Sequence, residues 1–290
     1  MRELTRHLWY LLCRYFLVVI PDRHFVQLTS FLTHKRLGFR YKKYNLRNPV
    51  SFNEKLTYLK ISKAHSNYTL YADKVRVRKY VEETIGSRYL VPLINIFQSA
   101  DDIDFSRLPQ SFVLKTNHGS GWNIICRDKN LLDEKAVRTK FKRWLTYNAF
   151  YLTREYQYKA IKPAILCEEI LGYNIYDYKF FCINGIPQIV QVDVDRFTNH
   201  TRAFFNREWE KQNFSIRYPI SDKVIKNPPQ LNEMLEICQK LSDRFHFVRV
   251  DLYVVDSHIY FGELTFTPGG GNEPFNPVEY DFTFGTMLKL

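Results

Sequence analysis

FVLKTNHGSGWNIICRD, residues 112–128, combines two short apolar runs with a loop of small residues. Phe112-Val113-Leu114-Lys115 predicts a short buried strand ending in a cation. Asn117-His118-Gly119-Ser120-Gly121 is too small-chained to be core, and Trp122–Cys126 predicts a returning strand. A strand, a glycine-bearing loop and a second strand form a hairpin flap whose backbone N–H groups can close over phosphate oxygens. Lys115 at its base adds a point charge. Most Gly-Ser-Gly turns are only hairpin loops, so the flanking sequence has to decide.

Working outward, residues 4–36 predict two helices broken at Pro21, with Asp22 placed to cap the second. Lys35–Arg47 is a basic, tyrosine-containing connector. Ser51-Phe52-Asn53-Glu54 matches a capping box opening a helix through Leu59. Tyr68–Val81 reads as helical and contains Asp73-Lys74; Tyr89–Phe97 predicts a strand, and Asp101–Pro109 a polar connector. Beyond the flap, Leu132–Tyr147 is an amphipathic helix with acids in its first turn and bases later, the order its dipole favours. Ala164–Leu171 predicts a buried strand. Tyr178–Ile183 and Pro187–Asp193 flank Asn184-Gly185, a strong hairpin signal. Leu231–Arg244 is helical, and Val248–Val255 with Ile259–Leu264 makes a last hairpin before Thr267-Pro268-Gly269-Gly270-Gly271-Asn272. The sum is an α+β chain with mostly antiparallel strands.

With 290 residues, 45% of them hydrophobic, a large core is available to one unit or two closely packed lobes. Cys13, Cys126, Cys167, Cys182 and Cys238 are scattered and never in C-x-x-C spacing, which argues against a zinc site or disulfide framework and fits a reducing cytosol. The net charge of +12 is uneven: residues 1–47 hold ten Lys/Arg against Glu3 and Asp22. Such an arm suits an anionic partner, or equally a solvated helical face. Leu8–Ile20 is the most apolar run, but Arg14 interrupts it and it is shorter than the ~20 residues a bilayer span takes. A helix packed on the protein is expected, with a helix lying on the inner membrane surface as the alternative.

Asp251 and Glu263 sit in the last hairpin among Val250, Leu252, Phe261 and Leu264. Buried carboxylates are costly unless paired, so a divalent ion or an arginine is expected nearby. Facing positions in a hairpin sum to a constant. Asp251 therefore faces Glu263 only if the turn is odd and centred on Ser257, whereas a two-residue Asp256-Ser257 turn sends them to opposite faces. The odd turn is expected. Hard oxygen ligands of this kind suit Mg²⁺ held with phosphate oxygens; the alternative is two carboxylates paired with Arg249 and surface bases. Glu168-Glu169-Ile170-Leu171-Gly172 leads from a strand into a connector that can offer backbone hydrogen bonds to an adenine edge and a carboxylate to a ribose. Lys179 is either a second phosphate cation or the partner of Asp177.

In this order the pieces resemble the ATP-grasp superfamily: DKVR at residues 73–76, FVLK followed by NHGSG, CEEILG, and RVDLY with GELTFTPGG. FNEKLTYLK, ADK, KTNHGSGWN, DYKFFCINGIP and GELTFTPGGG together are similar to its TupA-like branch, associated with bacterial teichuronopeptide and surface-polysaccharide synthesis. The resemblance covers roughly residues 50–285. It implies an ATP-grasp fold of two α+β lobes gripping ATP, with a basic helical region at 1–70, a pre-ATP-grasp segment at 71–110, a small lobe at 111–171 and a large lobe at 172–290. It also implies that Lys74 and Lys115 contact ATP phosphates while Gly119, Ser120 and Gly121 close over them. Glu168, Glu169 and Leu171 would frame the adenine, Asp177 would take the ribose and Lys179 would face the phosphates. Asp251 and Glu263 would hold Mg²⁺, and Arg249 would steady an acyl phosphate and its tetrahedral successor. Where most of the superfamily has Asn, two residues after the metal-binding Glu, this chain has Thr265; its hydroxyl or Asn272 would complete the metal site.

The implied activity is an ATP-dependent carboxylate–amine ligase joining an amino acid or peptide to a uronic acid of a bacterial surface glycan or its precursor, in the cytoplasm or at the inner face of the membrane. Two other readings compete. A glycosyltransferase could use the D-x-D stretch Asp193-Val194-Asp195, and a non-catalytic polyanion-binding protein could use the basic arm. No nucleic-acid partner is expected, because no stacking motif of the RNP kind is present. No Ser-His-Asp or Cys-His arrangement calls for a covalent enzyme intermediate.

Overall fold

The computed structural model describes residues 2–172, 175–195 and 198–290. Its N-terminal segment is helix α1 (Arg2–Leu11), an irregular turn through Val19 and helix α2 (Asp22–Arg36). The break falls at Pro21 as expected, but Asp22 does not cap. The N-cap position is Pro21, with no side-chain cap. The Asp22 carboxylate turns inward, to Arg154 Nε at 3.1 Å and the Tyr156 hydroxyl at 2.7 Å. A guanidinium only 1% exposed needs that anion more than a helix end does. Helix α3 (Phe52–Ile61) opens with the complete Ser51/Glu54 capping box.

The helix expected over 68–81 is two helices, α4 (Thr69–Ala72) and α5 (Val77–Ile85). Asp73 ends the first in extended backbone, and its buried carboxylate accepts from the Val75 N–H and from Asn117 Nδ2, both at 2.9 Å. An aspartate offered backbone donors of its own competes with helix continuation. Strand β1 (Leu93–Phe97) follows, shorter than the expected 89–97 because Ser87–Tyr89 forms a 3-10 turn.

The flap strands β2 (Phe112–Thr116) and β3 (Asn123–Cys126) join β1 and β4 (Ile165–Glu168) in an antiparallel sheet of order β1-β4-β2-β3. Helix α6 (Glu134–Leu145), capped by Asp133, seals it with Val137, Phe141 and Trp144. Short helices α7 (Ala149–Thr153) and α8 (Tyr156–Lys159) lead back to β4.

Strands β5 (Asp177–Ile183), β6 (Ile186–Val194) and β7 (Thr201–Phe205), then β8 (Phe247–Val255) and β9 (His258–Thr265), form a second antiparallel sheet, ordered β9-β8-β5-β6-β7. One face is wholly apolar. Phe180, Cys182, Val190, Val192, Val248, Val250 and Leu252 pack against helix α9 (Leu231–Ser242). The other face divides along its length. Phe181, Ile183, Phe204 and Phe247 meet Phe52 and Leu56 of α3 and Phe284 of helix α10 (Glu279–Met287). Toward the opposite end, the same alternation of side chains presents Asp177, Lys179, Asp193, Arg202, Arg249 and Asp251.

The last hairpin corrects the expected turn. Its loop has two residues, Asp256 and Ser257, both at positive φ (48° and 65°), and Phe261 pairs with Leu252. Continued regularly, that register would put Glu263 beside Val250 on the apolar face. A bulge at Gly262 adds one residue, so Glu263 pairs with Asp251 after all. A Cβ on Gly262 would lie 3.0 Å from the Asp251 carbonyl oxygen and 3.0 Å from the Tyr253 ring. Gly262→Val is therefore expected to lower unfolding stability by about 1–3 kcal/mol through overpacking; an unchanged urea midpoint would show that the bulge accepts a side chain.

Candidate active site

The charged half of the sheet is the floor of a cavity of about 670 Å³. Lys179, 5% exposed, pairs with Asp177 and lies 3.6 Å from Asp251 and 3.7 Å from Asp193. Arg249 grips Asp251 with two hydrogen bonds of 2.6 Å, and it also donates to Thr265 Oγ1 at 3.2 Å. Thr265 in turn donates to Glu263 at 3.1 Å. Asp193 takes Arg202 at 2.9 Å and His200 at 3.1 Å, and Glu273 takes Arg202 at 3.3 Å and Arg217 at 3.0 Å.

Pairing overrides burial in this cluster. Burial by itself would raise the Glu263 carboxyl, but Lys74, Arg249 and Lys179 hold it at about 2. Burial would likewise raise Asp193, and Arg202 and Lys179 outweigh it, leaving that group well below the usual carboxylate range. Arg249 runs the other way. Burial would lower it, while Asp251 and Glu263 push it above its ordinary value, so it stays charged.

The walls come from the broken helix and the flap. The interruption at Asp73 lets Lys74 leave the helical path. Its ammonium reaches Glu263 at 3.3 Å and donates to the Gly119 carbonyl at 2.8 Å, tying flap to floor. Lys115 faces the same cavity and pairs with Glu168 at 2.5 Å. Gly119 lies under Trp122, where a Cβ would sit 2.3 Å from the indole. Trp122 packs on His118 and Tyr147. His118 is buried beneath the flap, with Nδ1 3.1 Å from Asn117 Oδ1 and Nε2 3.2 Å from the Trp144 carbonyl, outside the cavity lining.

Lys74, Lys115, Gly119, Ser120, Gly121, Asp177, Lys179, Arg249, Asp251, Glu263 and Thr265, all anticipated from sequence, line this one cavity. Glu168, Glu169 and Leu171 do not. The pairing of β4 with β2 turns Glu168 to Lys115 and to Arg78 at 3.2 Å, and Glu169 is exposed. Asn272 faces α2, accepting from Ser30 at 2.5 Å, so it is no third ligand here. Arg202, Arg217, His200, Glu155 and Glu273 line the cavity without having been anticipated. Thr201 with the aromatic pair Phe204-Phe205 is a weak strand signal, but nothing local ties Glu273 to Arg202.

Two antiparallel sheets, a lysine-and-glycine flap and an acidic hairpin closing on one cavity make this an ATP-grasp protein. A family model described as TupA-like ATPgrasp matches residues 54–289, and the chain belongs to that family. No curated protein matches. Among solved structures, the ADP complex of purK, an N5-carboxyaminoimidazole ribonucleotide synthetase, is 12% identical with a TM-score of 0.43, over 69% of this chain and 46% of that one. D-alanine-D-alanine ligase from Helicobacter pylori is 15% identical with a TM-score of 0.41, over 75% and 56%. The Bacillus anthracis D-alanine–D-alanine ligase complexed with ATP is 14% identical with a TM-score of 0.39, over 83% and 62%. The chain thus spans about half of these enzymes' length.

His118 gives a pH signature. Its burial pushes the imidazole from 6.5 down to about 4, so the folded protein keeps it neutral where the unfolded chain already binds a proton. Its contribution is complete above pH 6.5 and is lost as pH falls toward 4. His118→Gln is expected to flatten that part of the urea-midpoint profile. Lys179→Met removes the buried cation shared by Asp177, Asp193 and Asp251 and is expected to cost about 3–5 kcal/mol, read from the same denaturation curves.

Proposed function

We propose that this protein is an ATP-dependent carboxylate–amine ligase working through an acyl phosphate. The observation that carries the reading is the convergence of Lys74, Lys115 and Lys179 with the Asp251–Glu263 pair on one nucleotide-sized cavity under a glycine flap. Triphosphate oxygens entering there would take up the lysines, and the backbone of the flap would close over them. The connector after β4, rather than the Glu168 side chain, would meet the adenine edge, and Asp177 the ribose.

A divalent ion fits the donor set in part. Asp251 and Glu263 are hard oxygen donors on one face, but no described group of three or more His, Cys, Asp or Glu side chains could hold a metal alone. Mg²⁺ bound through these two carboxylates, with Thr265 beside them, would need phosphate oxygens to complete its shell, which is its habit. When bound, it would neutralise charge on the transferring phosphoryl group.

A carboxylate is a poor acyl donor because its leaving group would be oxide. Attack of its oxygen on the γ-phosphorus releases ADP and gives an acyl phosphate; a neutral amine then adds to the carbonyl carbon, phosphate departs and the amine nitrogen loses a proton. Arg249, fixed by Asp251, would hold the acyl phosphate and the oxyanion of the tetrahedral stage. The flap would exclude water that hydrolyses the intermediate.

The substrates we assign are an amino acid or peptide amine and a uronic acid of a bacterial surface glycan, supported by the branch resemblance and the basic N-terminal arm. A peripheral position on the inner membrane face is supported by Leu8, Leu12, Phe16 and Val19, all exposed beside that arm. No helix among the described residues is long and apolar enough to cross a membrane. The glycosyltransferase reading loses its feature, because Asp193 faces the cavity whereas Asp195 pairs with Lys223 at 2.8 Å in solvent.

The test is phosphate release from ATP across a panel of amino acids with uronic-acid oligosaccharides. Release dependent on both co-substrates, falling roughly 100-fold or more in Glu263→Gln, is expected. Turnover of a nucleotide sugar with no ADP formed would sink the ligase reading.

A further inference from the structure

We propose that the groove between α1, α2 and the Pro268–Gly271 turn is the acceptor site, and that it takes an acidic oligosaccharide whose carboxylate passes Gly269 and Gly270 into the nucleotide cleft. The proposal rests on the ligase reading above and adds the place and chemistry of its acceptor.

The groove is a second cavity of about 540 Å³. Thr153, Gly269 and Gly270 line both it and the nucleotide cleft, so only that thin wall separates the two. The two glycines bring no side chain to the wall, and the one that backs it on the cleft side, Glu273 against Gly269, is neutralised by Arg202 and Arg217. Gly269 and Gly270 adopt φ of 57° and 68°, a region other residues enter only with strain. Beneath the turn, Lys60, 1% exposed, donates to the Gly270 carbonyl at 2.5 Å and fixes the loop from the α3 side. Burial lowers that ammonium to about 8, which Glu155 in the nucleotide cleft opposes.

The lining states the class of ligand. Six cations and six carboxylates face the nucleotide cleft, and most of them pair with one another, Lys115 instead taking Glu168 outside the lining. The groove has Arg6, Arg36 and Lys60 and no acidic residue at all among its described lining. Arg6 and Arg36 are exposed at its mouth, so an entering anion meets guanidinium groups without breaking an internal carboxylate pair. Trp9, 37% exposed, offers an aromatic face, and Thr29, Thr33 and Thr153 offer hydroxyls. Aromatic face, hydroxyls and guanidinium together suit a ring that is apolar on its C–H face, hydroxylated at its edge and carboxylated: a uronic-acid sugar. A bare amino acid would leave most of the groove empty, and a phosphorylated nucleotide has its own cleft next door.

The probe is trigalacturonate, with maltotriose as the neutral control, measured by titration calorimetry on the full chain. The wild type is expected to bind trigalacturonate and not maltotriose, with or without a non-hydrolysable ATP analogue in the cleft. Arg6→Ala/Arg36→Ala, both exposed positions, is expected to weaken trigalacturonate at least tenfold and leave analogue affinity within twofold. Thr33→Trp, which fills the groove, should do the same without removing a charge. Wild-type affinity in both variants, displacement of trigalacturonate by the analogue, equal binding of maltotriose, or no trisaccharide binding in a protein that binds the analogue would each overturn the site while leaving the ligase reading standing. Failure to bind the analogue would remove both.

Discussion

Charge cannot be left unpaired on a buried sheet face, and the second half of this chain is arranged around that constraint. The strand face that is aromatic beneath α3 becomes charged toward its other end, where Asp177, Lys179, Asp193, Arg202, Arg249, Asp251 and Glu263 neutralise one another. Each such group alone would be expensive to desolvate; in alternating sign they are tolerable. The opposite face of the same strands is apolar throughout and anchors the array on α9. The fold therefore supplies rigidity from one side of a sheet and chemistry from the other.

A self-neutralised cleft has a consequence for binding. Lys74 is held by Glu263 and the Gly119 carbonyl, and Arg249 by Asp251. On the proposed reading, phosphate oxygens arriving with a divalent ion would exchange these partners, anion for carboxylate and metal for ammonium. The same lysine connects the flap to the floor. The neighbouring groove has no carboxylate among its described lining: Arg6 and Arg36 are exposed, and Lys60 is buried against the Gly270 carbonyl. The two cavities thus differ in charge balance, although they share a wall of two glycines and a threonine.

The sequence by itself determined a good deal: the hairpin flap, the antiparallel hairpin at Asn184-Gly185, the capping box at Ser51, and eleven of the cleft's lining residues. These are local signals, in which spacing, glycine position and strand alternation fix the outcome within a few residues. Tertiary structure decided the rest. Asp22 forgoes a capping role because a buried guanidinium from residue 154 needs it. Helix 68–81 breaks because Asn117, far along the chain, bonds the Asp73 carboxylate. Asp251 meets Glu263 by way of a bulge at Gly262 and not an odd turn, and a side chain there would crowd the Asp251 carbonyl and the Tyr253 ring. Glu168 faces Lys115 because β4 pairs with β2, and Arg202 meets Glu273 only after 70 intervening residues fold. In each case the deciding partner lies outside the local window, where no periodicity reaches and only desolvation cost selects the pairing.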